Sequence, residues 1–197
     1  RTEAEATNQY LAILKKGSSN IKRIILVAPP THVFAKIAQN SGLQIVQHLD
    51  ISEFEQIIIS EETVDAVIFI YQLEKSLFPQ HILDKAYNLL DLEGRLMIVF
   101  PSLDSRSARV FGDAWVGWHP ENKHYFNDTT IQSLLWKYGF NEVWLDKDLR
   151  WYTLSHINQR ATSFPKTWLT RSVRLAYRVL PSFLQETYFR LPTSGRV

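Results

Sequence analysis

An α/β fold is predicted for this chain: a three-layer sandwich on a mostly parallel, doubly wound sheet, with a helical C-terminal appendage. Three observations predict it. Thr63 to Tyr71 and Leu92 to Pro101 are short apolar runs rich in Val, Ile and Phe, the pattern of strands covered on both faces. Between them Ile82, Leu83, Ala86, Leu89 and Leu90 recur at helical spacing, and Gly94 follows as a stop signal. A strand, a crossover helix and a second strand in one sheet are parallel with a right-handed connection. Ligands of such sheets gather at the carboxyl ends of the strands, which here are Tyr71-Gln72-Leu73-Glu74 and Pro101-Ser102-Leu103-Asp104.

The remaining elements follow from the same rules. Thr2 to Lys16 is an amphipathic helix ended by Gly17-Ser18-Ser19-Asn20, and Ile21 to Val27 is a buried strand broken by Ala28-Pro29-Pro30-Thr31. Thr31 is placed to cap a helix from Val33 to Asn40, which Ser41-Gly42 ends; Leu43 to His48 is a short strand. Asp50 to Ser60 fits either a helical turn or a third strand. Leu103 to Gly117 reads as a long connection, and long ordered loops tend to be functional. Asn127 or Asp128 caps a helix from Thr130 to Tyr138 that Gly139 ends, and Phe140 to Leu145 is a further strand. Trp151 to Ile157 is a short strand or helical turn, and Phe164 to Phe189 is in helix-like register, broken at Pro181.

The 197 residues can bury a full core, so residues 1–157 are read as one α/β domain and residues 158–197 as a basic appendage packed on it. Cysteine is absent, which excludes disulfides, thiolate catalysis, iron–sulfur clusters and cysteine zinc sites. No signal-like start is seen, and the longest apolar runs fall short of the roughly 18 residues that span a bilayer. A soluble, cytoplasmic protein, at most peripheral to a membrane, is expected. The missing initiator Met and the abrupt end suggest an excised piece of a longer chain. Residues 147–197 hold nine basic residues against two acidic ones, a net +7, which leaves −5 for the rest of a chain whose total is +2. A basic tail on a mildly acidic body points to an anionic partner or surface.

The order strand, broken loop, helix, strand, Asp65-Ala66-Val67-Ile68-Phe69, helix, Glu93-Gly94-Arg95-Leu96-Met97-Ile98-Val99-Phe100-Pro101 resembles the class I S-adenosylmethionine-dependent methyltransferases. Downstream, Ser107-Ala108-Arg109-Val110-Phe111-Gly112, Trp115-Val116-Gly117-Trp118, Pro120, His124-Tyr125-Phe126 and Gly139-Phe140 are similar to the branch that methylates small molecules, sugars and lipid-linked substrates. The likeness runs from about Ile21 to Leu145. It implies S-adenosylmethionine as cofactor, held over Ala28, Pro29 and Thr31, by Asp50, and by Tyr71, Gln72 and Glu74. Asp50 is either the acid that binds the ribose hydroxyls or the later acid that contacts the adenine. Glu74 is placed to orient the cationic end.

Departures from the family are equally specific. Where its glycine-rich turn would stand the chain has Val27-Ala28-Pro29-Pro30-Thr31-His32. Proline has no N–H to donate, and its fixed φ forbids the left-handed turns that glycine allows. The segment between this turn and Asp65 is about one helix and strand shorter than usual. Lys75 stands where the family has a histidine after Leu73-Glu74, and the family's antiparallel last strand is expected beyond Val197, where the chain stops.

Methyl transfer is an in-line displacement that needs proximity and, for some nucleophiles, a base. His119, His124 and Tyr125 are the catalytic candidates, since their loop would lie over the strand ends. The competing account is a packed lid with inert, hydrogen-bonded histidines. His119, Glu121 and His124 match no familiar metal spacing, and Asp146-Lys147-Asp148 is better read as a solvated turn than as an acid pair for a metal. Arg171, Arg174 and Arg178 run along one side of a segment whose other side carries Val173, Ala176, Tyr177 and Leu180. That pattern suits an anionic membrane surface, or a helix packed on the domain with its arginines in water. No nucleic-acid-binding module is present.

Two functions of different class stand at this point. One is methyl transfer to a small-molecule or lipid-linked acceptor. The other is a methyltransferase-like domain that has lost its cofactor and serves as a binding or structural module.

Overall fold

The strands Arg23–Val27 (β1), Gln44–Leu49 (β2), Val64–Ile70 (β3), Leu90–Pro101 (β4), Asp146–Thr153 (β5) and Tyr188–Arg196 (β6) form one sheet in the order β2-β1-β3-β4-β6-β5. This is a computed structural model, and it describes residues 2–16, 20–58, 62–153, 155, 158–159, 168–179 and 188–196. β2, β1, β3 and β4 are mutually parallel, while β6 runs antiparallel to both β4 and β5. The helices are Thr2–Lys15 (α1), Phe34–Asn40 (α2), Ile51–Gln56 (α3), Pro79–Leu89 (α4), Arg106–Phe111 (α5), Asp128–Lys137 (α6) and Trp168–Val179 (α7).

Period-two alternation along the central strands sorts the core into two layers. Ile25, Val27, Val67, Phe69, Ile98 and Phe100 pack with Phe54 of α3, Ile82, Leu83 and Ala86 of α4, and Ile131 and Leu135 of α6. On the opposite face Ile24, Leu26, Ile68, Ile70, Met97 and Val99 pack with Tyr10, Leu11 and Leu14 of α1 and with Phe34 and Ala38 of α2. Each such aliphatic or Phe side chain contributes about 1.5–3 kcal/mol when fully buried. The three layers expected from the apolar runs are therefore present.

Side chains close the amino edge of the sheet. Asp65 Oδ2 accepts the backbone N–H of Lys22 and of Arg23, each at 2.7 Å, and so fixes where β1 begins. Arg95 Nη1 donates to the carbonyls of Leu14 (3.3 Å) and Lys16 (2.6 Å), satisfying the open end of α1. Lys85 Nζ does the same for α3 through the carbonyls of Phe54, Glu55 and Ile57.

Several local expectations are corrected. Thr31 does not cap α2: Val33 holds the cap position without a side-chain bond, and His32 Nδ1 accepts the Phe34 N–H at 3.2 Å instead. The Asp50–Ser60 segment resolves to the helix α3, and residues 59–61 lie outside the described ones. α4 passes directly into β4 at Leu90, leaving Gly94 inside a strand, because Leu90 turns extended and pairs with Val64. The long connection after Leu103 contains α5, whose Ser105 accepts the Ala108 N–H at the N-cap.

Phe140 to Leu145 is irregular, and the strand begins at Asp146. Tyr188 and Phe189 belong to β6 rather than to a helix; the expected break at Pro181 lies outside the described residues. The antiparallel strand expected beyond Val197 is therefore formed by Tyr188–Arg196 itself. Gly195 permits it: a Cβ there would sit 2.7 Å from the Phe100 ring across the pairing.

Candidate functional site

Parallel pairing brings the carboxyl ends of β1 to β4 to one edge, so Ala28, Asp50, Tyr71 and Ser102 follow their strands on the same side of the sheet. The turn after β1 is closed on itself. The Ala28 N–H donates to the Leu49 carbonyl at 2.9 Å and that of His32 to the Pro29 carbonyl at 2.9 Å. His32 receives the Phe34 N–H, and its Nε2 lies 3.4 Å from Glu3 of α1 with the ring buried. Pro29 and Pro30 have no N–H at all. Thr31 is exposed at the tip.

Asp50 directly follows β2, the strand beside β1. It is also the N-cap of α3. Its Oδ1 accepts the Ser52 hydroxyl (2.7 Å) and the Glu53 N–H (2.9 Å), and Glu53 returns a bond to the Asp50 N–H at 2.8 Å. The Ser52 hydroxyl above all, and then the Glu53 N–H, holds the Asp50 carboxyl below the ordinary aspartate range. Among the described residues no hydrogen bond of 3.5 Å or less reaches Oδ2.

A lowered pKa in the folded state means that the cap contributes above the unfolded pKa and is lost as pH falls through the folded one. Asp50→Ala is therefore expected to cost about 1 kcal/mol at neutral pH. The deficit should fade once the medium is more acidic than the ordinary aspartate pKa, which urea unfolding at a series of pH values measures. A deficit that persists unchanged into strong acid would contradict the capping role.

After β3 the backbone is strained. Tyr71 has φ +52°, a left-handed conformation that costs a non-glycine residue about 1–2 kcal/mol. Its N–H donates to the Val99 carbonyl at 2.9 Å, which continues the pairing with β4. Gln72 is buried, and its Oε1 accepts the Ile51 N–H at 3.2 Å, tying this turn to the start of α3. Glu74 is buried as well, and its carbonyl accepts the N–H groups of Lys123 (2.8 Å) and His124 (3.0 Å). Lys75 pairs with Glu121 at 2.8 Å and holds that carboxyl below its usual range.

The segment from Trp115 to Phe126 thus lies across the β3 and β4 ends as a packed lid. Trp115 is fully buried, donates Nε1–H to Ser107 Oγ at 3.0 Å, and meets Trp118 edge-on at 5.4 Å. Tyr125 stands 4.5 Å from Trp118 between ring centroids, and its hydroxyl both accepts the His119 N–H (2.8 Å) and donates to the His119 carbonyl (3.1 Å). His124 contacts the Leu77 carbonyl through Nε2 at 3.3 Å and stacks near Phe126. Phe126 joins Ser102 and Leu103, anchoring the lid to the β4 end.

Of the residues singled out in the sequence, the fold joins Gln72 to the Asp50 turn, Glu74 to His124, and His119 to Tyr125. Among the described residues no hydrogen bond links Ala28, Pro29 or Thr31 to the histidines of the lid. The contacts of His32, Ser107 and the Lys75–Glu121 pair emerge only here; their sequence signals were a histidine two residues before a helix, a serine on α5 and two opposite charges far apart. Ser102, Asp104 and Asp128 line a small cleft after β4, but they bond mainly to one another. No group of three His, Asp or Glu side chains among the described residues is placed to hold a metal.

S-adenosylmethionine would need an acceptor for its ribose hydroxyls and donors for its carboxylate. Asp50 Oδ2 fits the first need. The β1 turn offers little toward the second: its prolines lack donors and the N–H groups of Ala28, His32 and Phe34 are spent inside the protein, which leaves the exposed Thr31 with its N–H and hydroxyl.

No protein-family profile and no curated protein sequence matches the chain. Solved structures do. It is similar to a SAM-dependent methyltransferase from Archaeoglobus fulgidus, with TM-score 0.61 and 11% identity over 98% of this chain and 90% of that one. A Bacillus halodurans methyltransferase gives TM-score 0.58 and 14% identity over 94% and 95% of the two chains. A Haemonchus contortus phosphoethanolamine N-methyltransferase, solved with S-adenosylhomocysteine, gives 0.53 and 14% over 96% of this chain but 51% of its own. The fold is that of the class I methyltransferases.

Proposed function

We propose that this methyltransferase-fold protein has exchanged methyl-donor binding for a closed structural turn, and that it serves as a binding module for a small-molecule, sugar or lipid-linked ligand beneath its aromatic lid. One observation carries the reading: the turn after β1, which would receive the methionine end of the cofactor, spends the N–H groups of Ala28, His32 and Phe34 internally and offers two prolines beside them. The lid supports a role in ligand binding, since the partly exposed Trp118 and Tyr125 form an aromatic wall backed by the buried Trp115 and tied by hydrogen bonds.

A second reading, an active S-adenosylmethionine-dependent methyltransferase, is favoured by Asp50 Oδ2 at the end of β2 and by the strained Tyr71 at the end of β3. In it Asp50 would hold the ribose, and His119, His124 or Tyr125 would serve the acceptor. Calorimetric titration with S-adenosylmethionine and S-adenosylhomocysteine separates the two. Millimolar cofactor is expected to produce no saturable heat with the wild type, and a Pro29→Gly, Pro30→Gly variant is expected to gain binding. Saturable binding by the wild type would establish the second reading.

A further inference from the structure

We propose that α7 is a surface-seeking helix that docks this protein on an anionic lipid bilayer, lying in the interface rather than crossing it. Its sequence, Trp-Leu-Thr-Arg-Ser-Val-Arg-Leu-Ala-Tyr-Arg-Val, is the most clearly two-sided of the longer described helices. At 100° per residue, Arg171, Arg174 and Arg178 fall within an arc of about 60°, and Leu175 and Val179 fall on the apolar arc directly beside it.

A helix packed on the domain would bury that apolar arc and leave its arginines in water. Along the border of that arc with the arginines the apolar side chains are open, Leu175 at 65% and Val179 at 77% exposure, while Tyr177 further round is half-buried. Arg171 and Arg178 are exposed too, and among the described residues neither forms an ion pair. Apolar side chains in water beside unpaired cations are complementary to a surface that offers hydrocarbon under a layer of negative charge. The net +7 of residues 147–197 extends the same attraction. No described helix is long and apolar enough to cross a membrane, which matches a helix that lies in the plane.

Nucleic acid would use the arginines but leave Leu175 and Val179 in water, and a second copy of the chain would bring like charges together. The lipid surface alone accounts for both halves of the pattern.

Flotation of the full chain with phosphatidylcholine vesicles, with and without one-third phosphatidylserine, tests the proposal. The wild type is expected to float with the anionic vesicles at least ten times more than with the neutral ones, and less as salt is raised. Arg171→Ala, Arg174→Ala, Arg178→Ala together, and separately Leu175→Ser with Val179→Ser, should each cut the bound fraction about tenfold while the circular dichroism of the domain is unchanged. Equal recovery of either variant and the wild type would overturn the proposal. So would flotation indifferent to lipid charge, retention on nucleic acid in place of vesicles, or concentration-dependent dimers that the Leu175 and Val179 changes abolish.

Discussion

Replacing Trp115 by alanine is expected to lower the unfolding free energy by about 3–5 kcal/mol. Among the described residues Trp115 is the largest fully buried side chain, and the lid is built around it. Its indole meets Trp118 edge-on and donates to Ser107 Oγ, while the backbone at Gly117 is pressed so close that a Cβ there would collide with the ring. Alanine leaves a cavity that this neighbourhood is poorly able to fill, because Tyr125 is held by two bonds to His119 and cannot follow. Urea unfolding followed by far-ultraviolet circular dichroism measures the change. A loss below about 1 kcal/mol would mean that the aromatic wall is not packed in solution, and the binding role proposed for it would fail with it.

The second large effect is expected at the opposite edge of the sheet. Asp65→Ala should cost about 2–3 kcal/mol, since one carboxylate oxygen accepts two backbone N–H groups and each such charge-assisted bond is stronger than a neutral one. Both donors would be left at the entry to β1, the strand that pairs with β2 on one side and β3 on the other. Amide exchange gives the sharper test: the amide hydrogens of Lys22 and Arg23 should lose protection first, ahead of those inside β3. If both stayed protected in the variant, the start of β1 would have to be held by the sheet ladder alone. Asp65→Asn keeps an acceptor without the charge and should fall between the two.

The parts of the fold legible in the sequence are those whose burial is complete. β3 and β4 are covered on both faces, so their apolar runs are uninterrupted, and α4 and α6 bury one stripe each and so show helical spacing. β6 hid, and of β5 only the stretch from Trp151 reads as a short strand or a helical turn, because little in them is apolar by pattern. Asp146, Lys147 and Asp148 open one, and Pro192, Ser194 and Gly195 interrupt the other. They are strands because they pair with each other and β6 pairs with β4, a non-local condition that no window of residues displays.

The candidate site divides along the same line. The absence of glycine and the two prolines after β1 were visible as letters, and the chemistry they forbid follows from proline itself. Which groups consume the remaining donors was not visible: His32 reaching back to Phe34 and the Leu49 carbonyl taking the Ala28 N–H are outcomes of packing. Likewise Asp50 is found at a strand end by reading, but only its bonds to Ser52 and Glu53 reveal that one of its oxygens caps α3.

Sequence alone determined the layered α/β architecture, the turn without glycine and the arginine stripe of α7, because each rests on residue type and spacing along the chain. Tertiary structure decided that β6 inserts beside β4, that the Trp115–Phe126 segment closes over the strand ends, and that Leu175 and Val179 stay in water. The physical reason is that burial patterns are written locally, whereas the allocation of each hydrogen-bond donor and each exposed face is settled only when distant segments meet.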